Sequence, residues 1–182
     1  MTVRFLFAAA AFAAPAAFAM ATDVAPSLER GWYLNGLWSV SEYAFTDGHK
    51  DCVLVNTQSL PSGLSAFGLN EFGGGASTIM FRDTTITWNG SGKSLTFQID
   101  GNPTFIALAQ TDTRNNILIV ALDNTPSAIM GAFMKQLESG RLLLVTPSAG
   151  TPRTFELDGI QPALDAFGRC IAAMSSDGKG RH

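Results

Sequence analysis

The chain has 182 residues, a net charge of −3, 46% hydrophobic residues, 18 glycines and two cysteines. So mild and sparse a charge argues against nucleic acid and anionic membranes as main partners. The length suits one domain with a real core, and the glycines favour many turns and short strands over long helices.

The first segment reads as an export signal. Arg4 supplies a cationic start, residues 5–14 are an apolar run, and Pro15 breaks it. Small-x-small sites follow at Ala17-Phe18-Ala19 and Ala19-Met20-Ala21, completing the order of a secretory leader. The apolar run is well short of the roughly 20 residues a membrane span needs. Residues 1–21 are therefore expected to be cleaved on export to a bacterial periplasm. Removing them, Arg4 included, leaves 161 residues and a net charge of −4. No later segment is apolar enough to predict a transmembrane span. In that oxidising compartment Cys52 and Cys170 are expected to form one disulfide, and no C-x-x-C points instead to redox or metal chemistry.

Residues 32–43 (WYLNGLWSVSEY) place Trp38 and Val40 on one face and Ser39 and Ser41 on the other. They predict a strand kinked at Gly36. Residues 52–55 predict a second, short strand. Residues 60–76, with Pro61, Gly63, Gly68 and Gly73-Gly74-Gly75, read as a long loop. Ile79 and Phe81, then Ile86 and Trp88, then Leu95, Phe97 and Ile99 alternate with polar residues. With turns at Asn89-Gly90 and Asp100-Gly101-Asn102, they predict an antiparallel meander with one buried face. Residues 104–110 and 117–122 continue the sheet, and the second is apolar on both faces and so central.

Thr125-Pro126 suits the start of a helix. Its apolar face is Ile129, Met130, Phe133, Met134 and Leu137, and Gly140 falls just past its end. Strands at 141–146 and 153–157 follow, joined by a turn at 147–152. Asp158 can cap a last helix striped by Ile160, Leu164, Phe167 and Ile171. Cys170 lies at the edge of that stripe, facing the sheet and in reach of Cys52. Residues 175–182 read as a disordered tail. The sum is one α+β domain over 22–174: a mostly antiparallel β-sheet or sandwich with two flanking helices and one disulfide.

Candidate chemistry is sparse. His49 is the one histidine in the body of the chain, within Asp47-Gly-His-Lys-Asp51. If that segment were extended, Asp47, His49 and Asp51 would point to one side as candidate metal ligands. A solvated polar loop is the plainer reading. No Gly-x-Ser-x-Gly elbow accompanies the histidine. Gly73-Gly74-Gly75 lacks the lysine and the following helix of a phosphate loop. No catalytic residue and no cofactor is assigned. Phe67, Leu69 and Phe72, in the glycine-rich stretch, either tuck onto the core or form a partner surface. They are the candidate contact residues for a protein or envelope partner. The expected function is a periplasmic, non-enzymatic binding or interaction protein. The alternatives are a hydrolase or metal-dependent enzyme using His49, and an enzyme inhibitor inserting the glycine-rich loop.

A series of short motifs runs in one order along the chain. It comprises Trp38-Ser-Val40, Cys52-Val-Leu54, Phe97-Gln-Ile-Asp-Gly101 and a helix ending Met134-Lys-Gln-Leu137. Gly140-Arg-Leu-Leu-Leu-Val145 and Phe155-Glu-Leu-Asp-Gly159 follow, before a helix with Ala163-Leu164. This order resembles the invasion-associated locus B family of small periplasmic proteins. The chain departs from it at Asp123-Asn-Thr-Pro126, where the family carries a further cysteine. The resemblance implies a periplasmic, host- or envelope-associated protein and brings no catalytic residues with it.

Overall fold

A computed structural model of the chain describes residues 26–73, 76–88, 93–102, 105–112, 116–122 and 127–177. The leader at 1–21, the Asn89-Gly90 turn and the Thr125-Pro126 cap lie outside the described residues. Among the described residues, ten strands and two helices follow one another. They are β1 (Ser27–Leu34), β2 (Trp38–Ala44), β3 (Lys50–Leu60), β4 (Gly63–Phe72), β5 (Ser77–Asp83), β6 (Lys93–Ile99), β7 (Phe105–Asp112) and β8 (Ile117–Ala121). Then come α1 (Ser127–Ser139), β9 (Leu142–Pro147), β10 (Arg153–Glu156) and α2 (Ile160–Asp177).

All pairings are antiparallel, in the order β1-β2-β3-β4-β5-β8-β7-β6-β9-β10. Strand β7 turns the corner. Its first half pairs with β6 (Phe97 opposite Phe105), and its last residues pair with β8 (Gln110 opposite Ile119). A long layer (β1 to β5 and β8) thus folds over a short one (β6, β9, β10). Aromatic side chains join the two. Phe67 on β4 lies 6.3 Å from Phe97 on β6 and 6.0 Å from Phe155 on β10, and Phe81 on β5 lies 6.3 Å from Phe155. Helix α1 closes one end of this core by packing Phe133 against Phe97 and Phe105. Helix α2 lies against β1, β2 and β3, and the Cys52–Cys170 disulfide ties it to β3.

The sandwich, the two helices and the disulfide agree with the sequence reading, and several details differ. Residues 32–43 form two strands, separated by a turn in which Gly36 takes φ +90°. The expected loop at 60–76 is mostly strand β4. Its side chains do alternate, with Phe67 and Leu69 facing the core and Ala66 and Asn70 facing away. Its glycine serves a close approach: a Cβ on Gly68 would sit 2.7 Å from the Leu54 carbonyl oxygen of β3. Residues 84–88 are irregular rather than a strand. Asn116 holds them, accepting from the Trp88 N–H (3.0 Å) and donating to the Ile86 carbonyl (2.6 Å). The middle is also not a simple meander, because β5 pairs with β8 and β6 pairs with β7 and β9. Helix α2 continues through 175–177, the start of the expected disordered tail.

Candidate functional site

The segment around His49 is a turn, so Asp47, His49 and Asp51 do not line one side of an extended strand. Asp47 folds back on the chain. Its Oδ1 accepts the His49 N–H (3.1 Å) and lies 2.5 Å from His49 Nδ1. The bond from the His49 N–H holds the Asp47 carboxyl below its usual range. The His49 ring stacks on Phe45 with centroids 4.0 Å apart. Its Nε2 is 3.9 Å from Asp51 Oδ1, beyond hydrogen-bond reach. No group of three His, Cys, Asp or Glu side chains among the described residues could hold a metal ion.

Asp51 is the unusual member. It is fully buried at the start of β3, and neither carboxylate oxygen makes a well-formed hydrogen bond. Burial pushes its carboxyl up to about 6, against the opposing pull of His49, the Asn70 amide and the Gly73 N–H. The neighbouring Lys50 cannot help, because it points to the opposite face and pairs there with Glu42 at 2.8 Å.

A contact surface at Phe67, Leu69 and Phe72 is not what the structure builds. Phe67 is 0% exposed and Leu69 is 4% exposed. Phe67 stands at the centre of the aromatic core, and Phe72 is half-buried at the end of β4. Their apolar character serves folding, and the glycines beside them fit a strand packed closely on its neighbour.

Exposed apolar side chains occur on β1 (Leu28, Leu34) and α1 (Ile129), and three more lie on the outer side of the short layer. Leu108 and Ile106 on β7 are 80% and 66% exposed, and Leu142 on β9 is 47% exposed. Register places them on one face. Ile106 is opposite Thr96, which is opposite Thr146; Leu108 is opposite Ser94; and Gln98 is opposite Leu144, which is opposite Thr154. Glu156, opposite Leu142 at the sheet edge, is the charged side chain among these paired positions. A face that combines exposed aliphatic side chains with uncharged polar ones and little charge is a suitable protein-binding surface. Sequence reasoning passed it over, although a signal was present. Phe105, Ala107 and Ala109 alternate with Ile106 and Leu108, so β7 is apolar on both faces while only one of them meets the core.

A third feature ties the layers together. Arg153 Nε on β10 donates to Asp83 Oδ2 at the end of β5 (2.5 Å), and the Thr85 N–H and hydroxyl donate to Asp83 Oδ1 (2.9 and 2.6 Å). Burial would raise the Asp83 carboxyl, but the Arg153 and Thr85 bonds outweigh it and hold the group below its usual range. Both carboxylate oxygens are bonded, so this cluster is a clamp.

No family model matches the chain, and no curated protein matches it. Among solved structures the chain is similar to invasion associated protein B from Bartonella henselae. The two share 16% identity with a TM-score of 0.52, over 80% of this chain and 98% of that one. The likeness shows a shared fold, in line with the family resemblance carried by the sequence motifs. No helix among the described residues is long and apolar enough to cross a membrane.

Proposed function

We propose that this is an exported, non-enzymatic binding protein of the bacterial envelope, and that it captures a protein partner on the outer face of its short layer. The observation that carries the reading is the exposure of Ile106 and Leu108 on β7 and Leu142 on β9, on one face with little charge. Such residues are a solubility liability on a free surface and an asset when a partner covers them. The leader-like start supports export. The disulfide fits an oxidising compartment, and the name of the Bartonella neighbour fits a host- or envelope-associated role.

The test is capture from envelope extract with the native protein and with the double variant Ile106→Asp, Leu108→Asp. The native protein should retain a partner that the variant loses, while both keep the same melting temperature. Equal capture by both would overturn the assignment of this face. An enzyme centred on His49 finds less support, because Asp51 sits outside hydrogen-bond reach of the ring.

A further inference from the structure

Strand β7 changes neighbours halfway along, and the change leaves part of one edge open. The Asp100 N–H donates to the Leu142 carbonyl, and the Ser148 N–H donates to the Ser94 carbonyl. The main-chain groups of Ser94, Thr96 and Gln98 on β6 therefore face β9. Successive residues of a strand bond to opposite sides, so those of Leu95 and Phe97 face β7. Their partners there are Ala107 and Phe105. The N–H and C=O of Ile106 and Leu108 consequently point the other way. On that side β8 pairs with β7 only from Gln110 to Asp112. The same register would set Leu108 against Ala121, yet among the described residues no pairing extends that far. The main-chain groups of Ile106 and Leu108 thus form an open strand edge, beside side chains that are 66% and 80% exposed.

The strands at the two ends of the sheet are protected. Strand β1 is broken by two register shifts and has α2 against it. Strand β10 is four residues long and carries Arg153 and Glu156, and its Glu156 carbonyl accepts from Asn56 Nδ2 (2.9 Å). Bulges, short length, charge and a covering element are the usual devices that keep an edge from pairing with another chain. The edge at Phe105-Ile-Ala-Leu-Ala109 has no charge, no proline and no register shift.

We infer that a second copy of this chain pairs on this edge, β7 against β7, antiparallel about a twofold axis at Ala107. Ile106 of one copy meets Leu108 of the other, and the reverse, in two pairs that each exchange two main-chain hydrogen bonds. The sequence suits that occupant, because Ile106-Ala-Leu108 reads aliphatic-small-aliphatic in both directions. Self-pairing sets aliphatic against aliphatic on the outer face and Ala107 against Ala107 at the closer, non-bonded position. A twofold contact also brings like side chains together, which favours an uncharged edge. The strands β10-β9-β6-β7 of the two copies join into one sheet. The outer face proposed above for a partner is then doubled and stays open. The contact involves few residues and falls short of the roughly 800 Å² per partner of a stable complex. The dimer is therefore weak and forms at high protein concentration.

Sedimentation equilibrium of the native protein, up to millimolar concentration, should show monomer passing to dimer. Ile106→Pro removes an N–H on the open edge and no hydrogen bond of the monomer, and proline is tolerated at such a place. It should weaken dimerisation at least tenfold at an unchanged melting temperature. Ile106→Val keeps the N–H and should dimerise like the native protein. Cross-linking reads the register separately. Cα atoms of a non-bonded antiparallel pair are about 4.5 Å apart, within the span of a disulfide. Under mild oxidation Ala107→Cys should therefore link two copies at least tenfold faster than Thr154→Cys, which lies on β10 away from the axis. If Ile106→Pro melts lower, cross-linking alone decides. A native protein that stays monomeric at millimolar concentration, a folded Ile106→Pro that dimerises undiminished, or equal cross-linking at the two positions overturns the inference. Leu142→Asp, two strands from the edge, should leave the dimer intact while weakening partner capture. Failure of self-pairing and failure of the proposed partner face are thus separate outcomes.

Discussion

Replacing Asp51 by Asn should make the protein more stable at neutral pH. Asp51 is fully buried, and burial lifts its carboxyl from 3.8 to about 6. In the unfolded chain the same group ionises with its ordinary value. Between pH 4 and 6 the folded protein therefore holds a proton that the unfolded chain has released. A carboxyl raised on folding contributes stability that is fully present below about pH 4 and is lost as pH rises through about 6. At about 1.4 kcal/mol per pH unit, the raised value costs the ionised native state about 3 kcal/mol. Asparagine has nearly the same shape and no charge to desolvate, so it escapes that cost. For a domain of this size 3 kcal/mol corresponds to roughly 6–12 °C in melting temperature. Urea unfolding of the native protein and Asp51→Asn from pH 4 to pH 8 measures the effect. The two curves should converge near pH 4 and separate by up to 3 kcal/mol above pH 6, with equal dependence on urea. A variant less stable than the native protein at pH 7.5, or a separation independent of pH, would refute the reasoning.

Other expectations concern the framework. The Cys52–Cys170 bond closes a loop of 118 residues, so the double Cys→Ala variant should lose about 4–5 kcal/mol by loop entropy, measured as the shift in urea midpoint. Phe67→Ala should cost about 3–5 kcal/mol, as truncation of a buried aromatic does, whereas Ile106→Ser, on an uncovered face, should change stability by roughly 0.5 kcal/mol or less. Equal losses at the two positions would contradict the assignment of core and surface. Arg153→Ala leaves the buried Asp83 carboxylate without its cation and should cost about 3–5 kcal/mol. Because the Asp83 carboxyl is held low in the native protein, its contribution is present above the ordinary carboxylate range and lost as pH falls below it. The variant should therefore unfold at higher pH during acid titration, as circular dichroism would record.

Local patterns made much of this architecture legible. The alternation of Leu95, Phe97 and Ile99, the apolar run at Ile117 to Val120 and the stripe of α2 each follow from a period a short window reveals. The same windows misled at 60–76, because glycine and proline are turn signals unless a neighbouring strand needs the room. Gly68 meets that need, since the Leu54 carbonyl passes too close for any Cβ. The pairing of β5 with β8 was equally hidden, because strands close in sequence are the default neighbours and only three-dimensional packing selects a distant one.

The candidate sites divide in the same way. Residue types and their spacing determined that His49 would have acids beside it, that Cys52 and Cys170 could pair, and that no familiar catalytic motif is present. Tertiary structure decided that Asp51 turns inward while Asp47 stays exposed, and that Ile106 and Leu108 remain uncovered. The reason is physical. A strand's period is set by its own backbone, so the sequence reveals that a residue alternates. Which of its two faces becomes core, and which stays open, depends on what the rest of the chain lays against it.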